Sequence, residues 1–560
     1  MPTITIDGHA YDVPEGKTVL QACLERQIPV PYFCYHPKLS IAGNCRMCLV
    51  EIEGRPKLEI ACNTTAQEGM VVKTKTPKVI EARQSVLEFI LINHPLDCPI
   101  CDQAGECDLQ DQYFRFSAVP YRFREAKVRK PKAVPLGNLV MLDDERCILC
   151  TRCVRFCDEV AGVHELAVAE RGDHSTIVTF NDQGMQNAYS LNTVDICPVG
   201  ALTNRDFRFN KRVWFLKSAP SVCTGCARGC SIRLDHEGSI VYRYRPRENP
   251  LVNGEWMCDE GRLTYTFVNA PDRIASPYVR GAHGAERGAH GNGHAAPLVR
   301  AAWDEALQRI AGWLQRIPPA ERGVVLSAQC TNEENFAWWW LAREIWKTPH
   351  LFATARRFAN ATEDRILRRA DKNPNGRCLA ELGVQRALTT GPRLLVVLDM
   401  LSPEEVAALR WQRPEVVIVL ATNWGTDPSS ARWRPLGEVR AILAHGGAAR
   451  AVEQVNAPCE IAELPWADSM LPLATFAEQH GSFINADGVV QRIAAAFAPK
   501  GESQPAWRIA VQIGAIEESP WQPATAAEVF AAMAEIVPGM RGLTHEALGE
   551  QGVKLSSTGA

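Results

Sequence analysis

Fifteen of the 20 cysteines in this 560-residue chain, joined by one histidine, fall into four sets of four, and nothing else in the sequence constrains the fold as tightly. The sets are Cys34, Cys45, Cys48 and Cys62; His94, Cys98, Cys101 and Cys107; Cys147, Cys150, Cys153 and Cys197; and Cys223, Cys226, Cys230 and Cys258. Every set contains a C-x2-C pair, the spacing at which one turn presents two thiolates to one centre, completed by donors that only a folded chain brings in. The stretch from Cys34 to Cys258 is therefore expected to fold as a succession of mounts, each wrapping four donors around an inorganic group.

The other common use of many cysteines, a disulfide framework, belongs to short exported chains. This chain is long enough for about three to five domains. Its opening residues, Met1 to Gly8, show no basic region followed by an apolar core, so no signal peptide is expected. The apolar runs Leu394 to Leu398 and Val416 to Ala421 fall far short of the roughly 20 residues that span a bilayer, so membrane attachment is expected only through partners. A net charge of -3 gives no reason to expect nucleic acid. The local basic runs Arg122 to Lys132 and Arg205 to Lys217 read as solvated loops between domains.

Residues 1–78 open with alternating Thr3 to Ile6, an Asp7-Gly8 turn and Tyr11 to Val13, which predict a hairpin. Thr18 is placed to cap a short helix reaching Arg26, and a strand is expected at Leu49 to Ile52. The first set's spacing, C-x10-C-x2-C-x13-C, departs from the plant-ferredoxin C-x4-C-x2-C at its first gap, yet spacing and β context favour a two-iron cluster over structural zinc. Cys23 reads as a buried thiol in the helix. In residues 79–118 a helix from Ile80 to Ile92 leads into H-x3-C-x2-C-x5-C. One histidine with three cysteines is also a zinc set, and the company of three other sets favours a four-iron cluster. A neutral imidazole in place of a thiolate should raise that cluster's potential.

In residues 119–216 the run Cys147, Cys150, Cys153, Cys157 is the bacterial-ferredoxin C-x2-C-x2-C-x3-C, whose fourth cysteine normally serves a second cluster. A second run ending at Cys197 would need cysteines where Asn187, Ser190 and Thr193 stand. Cys197 therefore completes the third set, and Cys157 falls outside it. The fourth set, in residues 217–275, spans a β-rich interval from Ser231 to Tyr244; zinc remains the competing occupant and a four-iron cluster is favoured.

Beyond Cys258 the segment Gly281 to Ala296 reads as a flexible insert, with His283, His290 and His294 incidental. Helices at Trp303 to Ile317, Glu333 to Trp346 and Pro403 to Trp411 alternate with strands at Val324 to Ser327, Leu394 to Leu398 and Val416 to Thr422, which implies a parallel α/β layer. Trp338, Trp339 and Trp340 cannot all face one core from a helix, which places part of the run at an interface. Cys330, Cys378 and Cys459 read as ordinary thiols, and the residues after Leu543 as poorly ordered.

With the four sets in this order, and above all with DCPICDQAGECD at residues 97–108 and RCILCTRCVR at 146–155, the chain resembles the large iron-sulfur subunits of bacterial NADH:quinone oxidoreductase, respiratory complex I, over roughly residues 1–500. The resemblance implies one 2Fe-2S cluster on the first set and 4Fe-4S clusters on the other three, no catalytic residue, and an electron-carrying role. Electrons would come from the NADH-oxidising flavoprotein subunit, enter at the Cys34 set, pass to the Cys147 set and then the His94 set, and leave to a ferredoxin-like four-iron subunit on the way to quinone. The Cys223 set lies off that line. Other peripheral-arm subunits would be partners, at the cytoplasmic face of the bacterial inner membrane.

The region after Cys223 is similar to the molybdopterin oxidoreductases, through Thr331 to Asn335, Ala467, Asp468, Leu471, Pro472, Phe476, Gly481 to Asn485 and Gly488. It departs from them in having no cysteine between Ala353 and Asp371, in carrying Glu260 where they carry a lysine, and in stopping soon after Trp507. Bound molybdopterin is not expected. The whole is expected to be multidomain, α+β then α/β: a β-grasp two-iron ferredoxin domain (1–78), a helical His/Cys segment (79–118), a ferredoxin-like four-iron domain (119–216), a four-iron domain (217–275), a truncated molybdopterin-oxidoreductase-like α/β domain (276–545) and a tail (546–560). Two alternatives remain open, an electron-transfer subunit of an NAD-linked hydrogenase or formate dehydrogenase, and a zinc-stabilised scaffold.

Overall fold

The computed structural model describes residues 1–117, 120, 122–180, 183–271, 273–281, 298–354, 361–384, 391–399, 414–422 and 467–556. The chain divides into two compact units, Met1–Phe215 and Leu216–Ala560.

The first unit begins with a hairpin in which Thr3–Ile6 pairs antiparallel with His9–Asp12, a strand that starts two residues before the expected Tyr11 and ends one before Val13. Asp7 (φ 48°) and Gly8 (φ 89°) both take the left-handed backbone that a tight hairpin turn demands. Thr18 caps helix Val19–Glu25 through a reciprocal pair, its side chain accepting from the Gln21 N–H while the Gln21 side chain accepts from the Thr18 N–H. The helix buries Val19, Leu20, Ala22 and Cys23 against Ile4, Ile6, Val50 and Val72, each fully buried aliphatic stabilising by about 1.5–3 kcal/mol. The sheet runs His9–Asp12, Thr3–Ile6, Val71–Lys73, Leu49–Ile52, Glu59–Ile60, with only Thr3–Ile6 and Val71–Lys73 parallel. Helix Pro77–Leu91, capped by Thr76, packs on Leu49–Ile52 and buries Arg83, whose guanidinium donates to the Leu49 carbonyl at 2.9 Å and the Thr74 carbonyl at 3.1 Å. The rest of the unit is short: helix Asp108–Phe116, a three-stranded sheet of Val134–Pro135, Val140–Leu142 and Leu202–Asn204, and a hairpin of Leu166–Ala169 with Thr176–Thr179.

The second unit starts with an antiparallel meander, Lys217–Val222, Ser231–Glu237 and Ile240–Pro246. A seven-stranded sheet follows in the order Leu298–Arg300, Tyr278–Arg280, Ser469–Pro472, Val416–Ala421, Leu394–Leu398, Arg322–Ser327, His350–Thr354, the last five parallel. Strands Leu394–Leu398 and Val416–Ala421 are buried at every residue, as parallel strands covered on both faces must be. Alternate residues serve different cores: Leu394, Val396, Leu398, Ile418 and Leu420 join one cluster, Leu395, Val397, Val417 and Val419 the other.

Helix Asn332–Trp340 continues as a π-helical turn, Leu341–Ile345, and of the triple tryptophan Trp338 is buried while Trp339 and Trp340 are half-buried. Trp338 is fully buried and donates to the Ala506 carbonyl, Trp339 donates to the Leu382 carbonyl, and Trp340 lies 4.7 Å from the Trp521 ring. The stretch after Leu543 is likewise built in: His545 Nε2 meets Glu333 Oε1 at 2.7 Å, Leu548 is buried, and Val553–Lys554 adds a strand to Val489–Ile493. It is ordered because it closes an edge of the sheet formed with Gly481–Ile484. The expected helix from Pro403 to Trp411, the insert at 282–296 with its three histidines, and Cys459 lie outside the described residues.

Candidate metal centres

The first set sits on the loop that follows helix Val19–Glu25 and on the turn after Glu59–Ile60. Gly43 (φ 60°) and Arg46 (φ 59°) flank Cys45 in left-handed backbone, a shape that turns successive N–H groups toward one point. The Cys34 N–H donates to Cys45 Sγ at 3.4 Å. The Cys34 thiol neighbours those of Cys45 and Cys62, and the Cys48 thiol neighbours that of Cys62. Hydrogen bonds from the Cys45 and Cys62 thiols hold Cys34 well below the ordinary thiol range, while the same sharing pushes Cys62 and Cys45 up.

In the third set Cys147, Cys150, Cys153 and Cys197 line one cavity whose other walls include Leu142, Ile177, Val199 and Leu202. Leu149 (φ 52°) and Thr151 (φ 60°) are left-handed, and the Leu149 N–H donates to Cys147 Sγ at 3.4 Å. Burial pushes Cys147 up to about 12 and Cys150 and Cys197 up to about 11, so a positive metal centre is what would make them thiolates. Cys157, fully buried in the π-helical turn Cys157–Ala161, is not among the residues lining this cavity.

The second set follows helix Pro77–Leu91. His94 Nδ1 is buried with no hydrogen-bond partner, and burial brings the imidazole down to about 4, leaving a neutral ring with a lone pair. Cys98 is exposed, Cys101 buried, and Cys107 precedes helix Asp108–Phe116. A Cβ on Gly200 would fall 2.4 Å from Cys101 Sγ, so only glycine allows that backbone to pass. Around the set stands a charged frame where the basic runs had suggested solvated loop. Arg146 pairs with Asp97 (2.6 Å) and Asp143 (3.0 Å), and Lys132 with Asp97 (3.1 Å) and Glu145 (2.8 Å). Lys127 donates to the Leu91 and Ile92 carbonyls, and Arg212 to those of Cys101 and Pro99.

The fourth set belongs to the second unit and is buried throughout. The Gly225 N–H donates to Cys223 Sγ at 3.4 Å and the Gly261 N–H to Cys258 Sγ at 3.3 Å. A Cβ on Gly261 would lie 2.9 Å from Cys223 Sγ, which explains a glycine inside the short helix Asp259–Arg262. Glu260, two residues after Cys258, forms a 2.8 Å ion pair with Lys372.

Within the first unit the sets adjoin through backbone. Arg155 donates to the carbonyls of Cys34 (2.6 Å) and Cys150 (3.2 Å), Arg152 to those of Tyr35 (2.7 Å) and Ile196 (3.1 Å), and Asn44 to that of Leu149 (3.1 Å). Those contacts join the first set to the third. The third meets the second through residues 197–200: Cys197 Sγ donates to the Val199 carbonyl at 3.0 Å, Cys107 Sγ lies 3.9 Å from the Pro198 carbonyl, and Gly200 packs on Cys101. Among the described residues no three His, Cys, Asp or Glu side chains converge on the point a single ion would occupy. The fit to clusters rests on the donors: buried thiols with N–H groups aimed at sulfur, an unpaired His94 nitrogen, and glycines where a side chain would strike a sulfur.

Five family models match the chain. They are a 2Fe-2S iron-sulfur cluster binding domain at residues 1–77, the NADH-ubiquinone oxidoreductase-G iron-sulfur binding region at 83–118, the ferredoxin-like domain of NADH-quinone oxidoreductase subunit 3 at 137–203, the NADH-ubiquinone oxidoreductase NDSU1/NuoG-like 4Fe-4S domain at 216–266, and molybdopterin oxidoreductase at 462–516. The chain is 44% identical over 319 residues to the G subunit of the NADH-quinone oxidoreductase of Rickettsia bellii (strain RML369-C), covering 57% of this chain and 45% of that one. It is 45% identical over 318 residues to the mitochondrial NADH dehydrogenase (ubiquinone) iron-sulfur protein 1 of Solanum tuberosum, covering 57% and 41%. The chain thus spans less than half the length of these relatives. Among solved structures an NAD+-reducing NiFe-hydrogenase in the H2-reduced state matches at 29% identity and a TM-score of 0.35, over 38% of this chain and 91% of that one.

Proposed function

We propose that this chain is an iron-sulfur electron-transfer subunit of NADH-quinone oxidoreductase, relaying electrons from the NADH-oxidising flavoprotein subunit toward quinone. The observation that carries this is adjacency: the first set meets the third through Arg155, and the third meets the second through residues 197–200. That is the order in which the related subunits are expected to pass electrons, and it is not the order of the sets along the chain. The four family models with iron-sulfur descriptions coincide with the four sets.

Cys34, Cys45, Cys48 and Cys62 would hold one two-iron cluster. His94, Cys98, Cys101 and Cys107, then Cys147, Cys150, Cys153 and Cys197, then Cys223, Cys226, Cys230 and Cys258 would each hold a four-iron cluster. Such clusters supply reversible one-electron transfer. The protein's share is to space the donors, bury them, aim N–H groups at sulfur and set the local charge.

In architectural terms this reads as a β-grasp two-iron domain, a His/Cys segment, a ferredoxin-like domain reduced to one cluster, and a molybdopterin-oxidoreductase-like α/β region serving as scaffold without molybdopterin. No described helix is long and apolar enough to cross a membrane. Attachment at the cytoplasmic face of the bacterial inner membrane would come through a flavoprotein subunit, a ferredoxin-like four-iron subunit and other peripheral-arm subunits.

The test is metal and sulfide analysis of the purified chain, followed by low-temperature paramagnetic resonance. One two-iron and three four-iron clusters amount to about fourteen irons with matching sulfide. A few zincs with no sulfide would refute the proposal.

A further inference from the structure

Arg152 and Arg155 lie one turn apart in the short helix Arg152–Phe156, and four of their six hydrogen-bond acceptors are main-chain carbonyls of proposed cluster donors or of the residues next to them. One Arg155 nitrogen, Nη2, donates both to the carbonyl of Cys34, in the first set, and to that of Cys150, in the third. Its other amino group donates to the Ser40 carbonyl, and Nε to Thr151 Oγ1 at 3.3 Å. Arg152, 6% exposed, donates to the carbonyls of Tyr35 and Ile196 and stands 3.9 Å from Asp108 Oδ2. Tyr35, Ile196 and Asp108 are the sequence neighbours of Cys34, Cys197 and Cys107, so one guanidinium reaches the flanks of all three sets of the first unit.

This arrangement does two things at once. A guanidinium is planar and presents its donors in a fixed fork, so it fixes the distance between the loops whose carbonyls it joins, which a flexible ammonium does not. It is also always charged, and a positive charge held against the donors favours the more negative, reduced state of whatever they bind. We propose that Arg152 and Arg155 are positioning residues for electron transfer between the first and third sets: they fix the gap across which the electron passes and raise the potentials on both sides together. The inference rests on the proposed electron-transfer function and adds to it the residues that set the step.

The experiment uses the full chain with its clusters loaded, as wild type, Arg155→Gln and Arg155→Lys. Iron and sulfide content, redox titration by paramagnetic resonance, and the rate at which the third cluster is reduced through the first are measured on each. Arg155→Gln should keep its iron while the first and third couples both become harder to reduce by about tenfold, or about 59 mV for a one-electron couple. Arg155→Lys should keep wild-type potentials but pass electrons at least tenfold more slowly, because the charge survives and the fork does not. Unmoved first and third potentials in the glutamine variant would overturn the proposal. So would a wild-type transfer rate in the lysine variant, which decides the matter even if the glutamine variant loses iron. A wild-type chain without iron and sulfide would instead defeat the electron-transfer reading itself.

Discussion

Gly200→Ala offers a sharp test of how the second and third sets are joined. Gly200 has ordinary negative-φ backbone, so alanine there meets no conformational penalty, and the whole effect comes from space. The added methyl would lie 2.4 Å from Cys101 Sγ and 2.9 Å from Gln103 Cβ. Carbon contacts ordinarily settle at about 3.5–4.0 Å, so the sulfur or the 197–200 backbone must retreat by more than about 1 Å. Overpacking of this kind costs about 1–3 kcal/mol. The same displacement takes Cys101 out of line with its partner donors, so the variant should lose about four irons, those of the second set, before any others. Iron content, the resonance signal of the second cluster and the thermal midpoint report these effects separately. Gly312→Ala is the control: Gly312 lies inside helix Trp303–Arg316 with nothing within 4 Å of an added Cβ, so alanine should stabilise by about 0.5–1 kcal/mol and leave iron unchanged. If Gly200→Ala keeps full iron and the wild-type midpoint, the close approach of the 197–200 segment to Cys101 is not how these sets adjoin.

Three further outcomes follow from individual residues. Arg83→Met should destabilise by about 2–4 kcal/mol in chemical denaturation, since it strands the Leu49 and Thr74 carbonyls under the helix that covers them. Burial raises the Glu334 carboxyl above its ordinary value, so its contribution is complete below the unfolded value of about 4.3 and is lost as pH climbs through the folded one; Glu334→Gln should flatten the resulting fall in thermal midpoint above pH 4.3 while keeping the cap on Thr331. When iron is stripped under native conditions, exposed Cys98 should alkylate first and fully buried Cys378 only on unfolding, an order that mass spectrometry of labelled peptides reads directly.

What was legible in the sequence is what local chemistry controls. The Thr18 cap and the Leu49–Ile52 strand lie where residue pattern placed them, because each depends on neighbours within a few positions. Counting groups Cys197, and not Cys157, with Cys147, Cys150 and Cys153, and those four line one cavity. The illegible parts were those whose partner is distant or has no side chain. The segment after Leu543 looked like tail because nothing nearby shows that Glu333 awaits His545 or that Val489–Ile493 lacks an edge partner. Nothing near Glu260 in the chain shows that Lys372 pairs with it.

The basic runs make the same point about the sites. Counting charge could not distinguish a lysine in water from Lys127 or Arg212, whose acceptors are the carbonyls of Leu91, Ile92, Pro99 and Cys101. A carbonyl belongs to every residue and leaves no mark in a sequence, whereas cysteine spacing leaves a strong one. Cysteine spacing therefore marks candidate donors residue by residue, while it leaves no trace of the arginines and lysines that hold the loops against one another. Their number around three adjoining sets has a physical reason. Loops that converge on thiolates crowd carbonyl oxygens and negative charge together, and long cations that donate several hydrogen bonds at once answer both. Arg152 and Arg155 would have been the residues to suspect on that ground, since RCILCTRCVR at 146–155 sets both arginines among the very donors whose charge they offset.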